Sequence, residues 1–194
     1  MIGVGFTTTE PRTQTRFEFI EIGRNANGDD FIVECRCPAG GGAWVLEHVH
    51  LSWEEQFEIL SGEAEYKLDG RTVTARAGET VIMPAGLKHV HPWSAGDGDL
   101  IYRQHARFET PNEEAVDDVF GAFTTMFGLM REGKTNKKGL PKNPLQFAAT
   151  LRTLVKHEGF DAAVPIPVQR ALAATLGRFA EARGYRSSYP QYLG

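Results

Sequence analysis

The sequence predicts a mainly β protein, a sandwich or barrel of short strands, followed by about three helices. Three observations carry that prediction. From Phe17 to Phe108, short apolar runs alternate with Gly, Pro, Asn and Asp clusters and no helical period intervenes. Two-residue turn signals such as Asp69-Gly70 separate some of the runs. After Pro111 the apolar spacing changes to intervals of three and four.

Taken in order, Phe17 to Ile22 reads as a strand, residues 24–30 as a turn, and Phe31 to Cys37 as a second strand. Trp44, Leu46, His48 and His50 would share one face of a third strand, since alternate side chains point the same way. A tight connection then leads to Glu55–Leu60, where Glu55, Phe57 and Ile59 point inward and Ser61-Gly62 ends the run. Residues 64–68 and 71–75 form a hairpin. A strand ending at Pro84 meets a corner at Ala85-Gly86, because proline fixes φ and glycine permits positive φ, and the corner aims His89 at the earlier histidines. Residues 100–108 close the series, with either Tyr102 and Gln104 or Arg103 and His105 facing inward.

Beyond Pro111, Asn112 can cap a helix carrying Val116, Val119, Phe120, Phe123, Met126, Phe127 and Met130. Residues 133–142 read as a polar connector. Asn143-Pro144 starts a second helix, with Leu145, Ala148 and Leu151 on one face and Gly159 beyond its end. Pro165 and Pro167 introduce a third, whose apolar stripe of Val168, Leu172, Leu176 and Phe179 is expected to pack on a core, and Gly184 stops it. The expected division is a β-barrel over 1–110 and a helical extension over 111–194, packed on the barrel or on a second subunit.

The chemistry lies in the histidines. His48, His50, His89 and Glu55 form a mixed imidazole and carboxylate set of the kind that binds one divalent transition metal with positions left open. The residues stand as Gly42-x5-His48-x-His50-x4-Glu55-x6-Gly62 and Gly78-x5-Pro84-x-Gly86-x2-His89. This pattern resembles the two motifs of the cupin superfamily, with Trp93 where the second motif ends in Asn. The resemblance implies a jelly-roll barrel (double-stranded β-helix) and one metal held by His48, His50, Glu55 and His89. Fe, Mn, Ni and Zn all suit the donors. It also implies a small-molecule substrate and a dioxygenase-like oxidoreductase, with a metal-dependent binding or sensing protein and a metal-assisted isomerase or lyase as competing classes. His91 shares the inner face of its strand with His89, where it can act as a proton carrier. Trp44, Phe57, Met83 and Trp93 are the expected pocket residues.

Composition narrows the setting. The chain has 194 residues, 41% hydrophobic and 24% charged, which suits an ordinary globular protein. No apolar run approaches a membrane span and the N-terminus lacks a basic, then apolar, leader, so a cytoplasmic protein is expected. Cys35 and Cys37 are the only cysteines and read as reduced strand residues. Residues 1–130 hold 10 Lys and Arg against 21 Asp and Glu, while residues 131–194 hold 11 against 4, giving −11 and +7. The acidic barrel would repel a phosphate backbone, so no nucleic-acid partner is expected. A homodimer is expected, since cupins commonly pair.

Overall fold

The computed structural model describes residues 1–112 and 114–193. By its internal contacts the chain forms two compact units, Gly3–Glu113 and a helical unit of Glu114–Gly194 together with Met1–Ile2.

The first unit holds ten strands: β1 (Thr7–Thr9), β2 (Arg16–Ile22), β3 (Phe31–Cys37), β4 (His48–His50), β5 (Trp53–Ser61), β6 (Glu63–Leu68), β7 (Arg71–Arg76), β8 (Thr80–Met83), β9 (His89–Ser94) and β10 (Leu100–Phe108). One antiparallel sheet runs β1-β2-β3-β10-β5-β8, and within this unit a second runs β4-β9-β6-β7. This is the mainly β, jelly-roll arrangement expected of the sequence. Alternation fills the space between the sheets: Phe17 and Phe19, Val33 and Cys35, Phe57 and Ile59, and Leu100 and Tyr102 are all buried. The β6–β7 hairpin turns through Asp69 and Gly70, at φ 49° and 76°, the left-handed pair that a two-residue primed turn requires.

Two local departures follow from backbone chemistry. The strand expected from Trp44 shrinks to His48–His50. Gly40 and Gly42 take positive φ just upstream, and the Trp44 carbonyl accepts from Arg12 Nη2 at 2.9 Å instead of joining a ladder. In β9, Pro92 has no N–H, and the β6–β9 register slips between Glu65 and Lys67.

Among its described residues the helical unit has three longer helical segments and a 3-10 turn at Pro190–Tyr192. The first contains a π turn at Val116–Phe120 and then α1 (Gly121–Arg131). Ile2 N–H donates to Asp117 Oδ1 at 2.6 Å, which ties the chain start to this unit. α2 (Pro144–Lys156) begins as expected, with Asn143 Oδ1 accepting from the N–H groups of Leu145 and Gln146. The short strand β11 (Gly159–Asp161) follows. The last segment is α3 (Ile166–Leu172), a π turn (Ala173–Gly177) and α4 (Arg178–Ala182).

The buried face of this last segment is a correction. Val168, Leu172 and Phe179 are exposed, while Gln169, Ala173 and Ala180 are buried. Ala180 packs with Ala148 and Ala149 of α2, and Leu176 lies against that cluster. A Cβ on Gly177 would stand 2.9 Å from Arg152 Cβ, so it is smallness that lets this segment approach α2.

Candidate metal centre

Four strands of the first unit place the polar side chains of the barrel interior. His48 of β4 lies opposite His89 of β9. Glu55 of β5 lies opposite Met83 of β8 on one side and Ala106 of β10 on the other. Gln104 of β10 lies opposite Phe57, so it is a diagonal neighbour of Glu55 on the same face. The corner before β9 is anchored at the site: Gly86, at φ 84°, donates its N–H to the His50 carbonyl at 2.6 Å.

Ligand atoms of His48, Glu55, His89 and His91 all lie within 4.8 Å of one another. Glu55 Oε2 is the hub, 3.1 Å from His89 Nε2 and 2.9 Å from His91 Nε2. Two ligands at right angles on one ion, each about 2.1 Å from it, would stand about 3 Å apart, so these separations have the spacing of a coordination edge. The other ring nitrogens are set by the backbone. His48 Nδ1 lies 2.7 Å from the Leu46 carbonyl and His89 Nδ1 2.9 Å from the Leu87 carbonyl. A carbonyl only accepts, so both Nδ1 atoms carry the proton and a neutral ring keeps its lone pair on Nε2. His50 Nδ1 lies 3.6 Å from Glu55 Oε2 and its ring 3.9 Å from that of Trp53. Both His50 Nδ1 and His91 Nδ1 are buried with no hydrogen-bond partner. Imidazole and carboxylate donors converging at this spacing, with unpaired nitrogens among them, fit a divalent transition metal.

The electrostatics suit a cation. Burial, reinforced by the neighbouring imidazoles, holds His48 well below its ordinary value. Burial likewise brings His50 down to about 3, against the upward pull of Glu55. Burial alone would raise Glu55, but His91 and His50 and the hydrogen bonds from His89 and His91 outweigh it and hold the carboxyl well below its usual range. Burial opposes a charge on His89, yet its bond to Glu55 raises it. A buried anion thus sits among rings that are neutral or attracted to it.

The sequence motif names His50 and sets His91 aside, whereas the tightest cluster contains His91 and leaves His50 beside it. Of the expected pocket residues, Trp44 and Phe57 have rings 5.2 and 5.0 Å from that of His91. Met83 is fully buried opposite Glu55. Trp93 is half-buried opposite Glu65, beyond the register slip. Gln104, one of two pairs left open by the sequence, proves to be inside: it is buried and its Nε2 lies 2.6 Å from Glu55 Oε1. Its strand carries the signal that finds it, because Leu100, Tyr102, Ala106 and Phe108 share its parity and are apolar.

Cys35 and Cys37 are free and buried. Burial pushes the Cys37 thiol up to about 11 and raises Cys35 well above its ordinary value, which keeps both protonated at neutral pH. Tyr102 is fully buried and accepts from Trp44 Nε1 at 3.3 Å.

The profile of the cupin domain matches residues 35–102, which include every residue of the four-membered cluster. The barrel is a cupin domain. Solved structures similar to the chain include one titled a predicted oxalate decarboxylase from Thermotoga maritima, at 19% identity, covering 53% of this chain and 90% of that one, TM-score 0.44. The cupin domain of Schizosaccharomyces pombe Cnp3 is similar at 14% identity, covering 64% and 74%, TM-score 0.43. An uncharacterised protein with a double-stranded β-helix domain from Klebsiella pneumoniae is similar at 18% identity, covering 58% and 85%, TM-score 0.41. No curated protein matches the chain. Among the described residues, no helix is long and apolar enough to cross a membrane.

Proposed function

We propose that this cupin protein is a metalloenzyme acting on a small organic molecule, with dioxygenase-like oxidoreductase chemistry. The observation that carries the reading is the convergence of three imidazoles and one carboxylate within 4.8 Å. Three histidines and a carboxylate leave positions open on one divalent ion, and Fe, Mn, Ni and Zn all suit these donors, with Fe or Mn the occupants that a dioxygenase reaction would use. A bound ion would supply Lewis acidity and open positions for dioxygen or a chelating substrate.

The chain's own groups do the rest. His48, Glu55 and His89 are common to the sequence motif and to the geometry, and hold the ion in either case. The fourth ligand is His50 by motif and His91 by geometry. Where His50 fills that role, His91 holds a proton between its Nε2 and Glu55 Oε2, 2.9 Å apart. The carbonyls of Leu46 and Leu87 fix the presenting nitrogens of His48 and His89. Trp44 and Phe57 flank His91 and exclude water from that side. In a dioxygenase reaction both oxygen atoms enter the product and the substrate is itself the reductant, so no further electron donor is required.

Fe- or Mn-loaded protein is expected to consume oxygen with a member of a catechol, thiol or diketone panel. Silence across the panel, with ligands still raising the melting temperature, would move the assignment to binding or to metal-assisted isomerase or lyase chemistry. Homodimerisation belongs to the same proposal, and a concentration-independent monomer mass in light scattering would refute it.

A further inference from the structure

Gln104 joins Glu55 in a bond whose direction chemistry settles. An ionised carboxylate only accepts, so the amide atom 2.6 Å from Glu55 Oε1 must be the NH2 group. That bond occupies Glu55 Oε1 and leaves Oε2 as the oxygen facing His89 and His91. It also turns Gln104 Oε1 away from Glu55, and this atom is a buried acceptor with no donor. An acceptor buried unpaired is destabilising, so the fold gains from a ligand that supplies a donor there. Neither His50 nor His91 supplies it: their own buried Nδ1 atoms are unpaired as well.

We propose that Gln104 is a positioning and specificity residue: Nε2 locks Glu55 into one-oxygen ligation, and Oε1 receives a hydrogen bond from a small molecule bearing a hydroxyl or amino donor beside its chelating atom. A 2-hydroxy acid satisfies this chemistry and a 2-oxo acid, which offers another acceptor, does not. The inference rests on the proposed metal centre and adds to it the class of molecule the centre selects.

Co(II), lactate and pyruvate are the probes, because the d–d absorption of Co(II) reports its ligand field and the two acids differ at one oxygen. Wild type, Gln104→Leu and the closer-shaped Gln104→Met are titrated with Co(II) and then with each acid, folding being checked by circular dichroism. Wild type is expected to bind Co(II) and to respond to lactate at about tenfold lower concentration than to pyruvate. Either variant that folds is expected to bind Co(II) about 10–100-fold more weakly, with a changed spectrum and a lactate preference reduced to about twofold or less. Wild-type spectra, affinity and preference in a folded variant would overturn the proposal, as would equal responses of wild type to the two acids, which needs no variant at all. Failure of wild type to take up Co(II) would instead overturn the metal reading and this inference with it.

Discussion

At the scale of single residues, His50 and His91 make opposite claims on one coordination position. If the geometric cluster is the ligand set, His91→Ala weakens metal binding by orders of magnitude while His50→Ala weakens it less than about tenfold; the motif assignment predicts the reverse. Competition titrations of the two variants against a chromophoric chelator decide between them. Away from the centre, Asp29 is a buried carboxylate that accepts from Arg107 Nε at 2.6 Å and from His105 Nδ1 at 3.1 Å. Burial alone would raise its pKa, but these bonds and that from Asn25 lower it below its usual value. Its folded value lies below its unfolded one, so its stabilisation is present above about pH 4 and disappears as pH falls through the folded value. Asp29→Ala is expected to lower stability at pH 7 by about 2–3 kcal/mol in urea unfolding, and Asp29→Asn to flatten the acid limb of the stability profile. The metal motif was legible because strand parity and spacing are local properties. His91's approach to Glu55 was not, since it depends on how β9 and β5, in different sheets, face one another.

At the scale of elements, the motif glycines have different physical reasons that the sequence does not distinguish. Gly62 has φ 88° and a Cβ there would lie 2.5 Å from the Asp99 carbonyl oxygen, whereas Gly78 has φ 89° and open space around it. Gly62→Ala therefore incurs both backbone strain and a collision with main chain, and Gly78→Ala strain alone. The expected losses are about 3 kcal/mol or more against about 1 kcal/mol, measured by thermal or urea unfolding; equal losses would remove the close-approach explanation. The Asp69-Gly70 hairpin and the Asn143-Pro144 helix start were readable because turns and caps are set by their own residues. The inward face of the last helix was not. Hydropathy selects Val168, Leu172 and Phe179, while packing against the alanines of α2 selects Ala173, Gly177 and Ala180, which admit a close approach. Gly177→Leu is accordingly expected to destabilise the helical unit by about 2 kcal/mol or more, while Leu172→Gln changes stability little.

At the scale of the whole molecule, all the candidate ligands lie in the unit of residues 3–113, and the basic stretch of residues 131–194 contributes none of them. The fold class was legible from turn signals and a change of apolar period, yet the chain's start was not: Ile2 belongs with the helices through Asp117, a bond between residues 115 positions apart. One measurement bears most directly on the centre itself, elemental analysis of protein purified without chelator or His-tag beside a His48→Ala, Glu55→Ala double variant. About one equivalent of Fe, Mn, Ni or Zn in the wild type, lost in the folded variant, is the predicted result. Wild-type protein that stays free of metal after incubation with each ion, or a variant that retains the same equivalent, would contradict the assignment of this cluster as a metal centre.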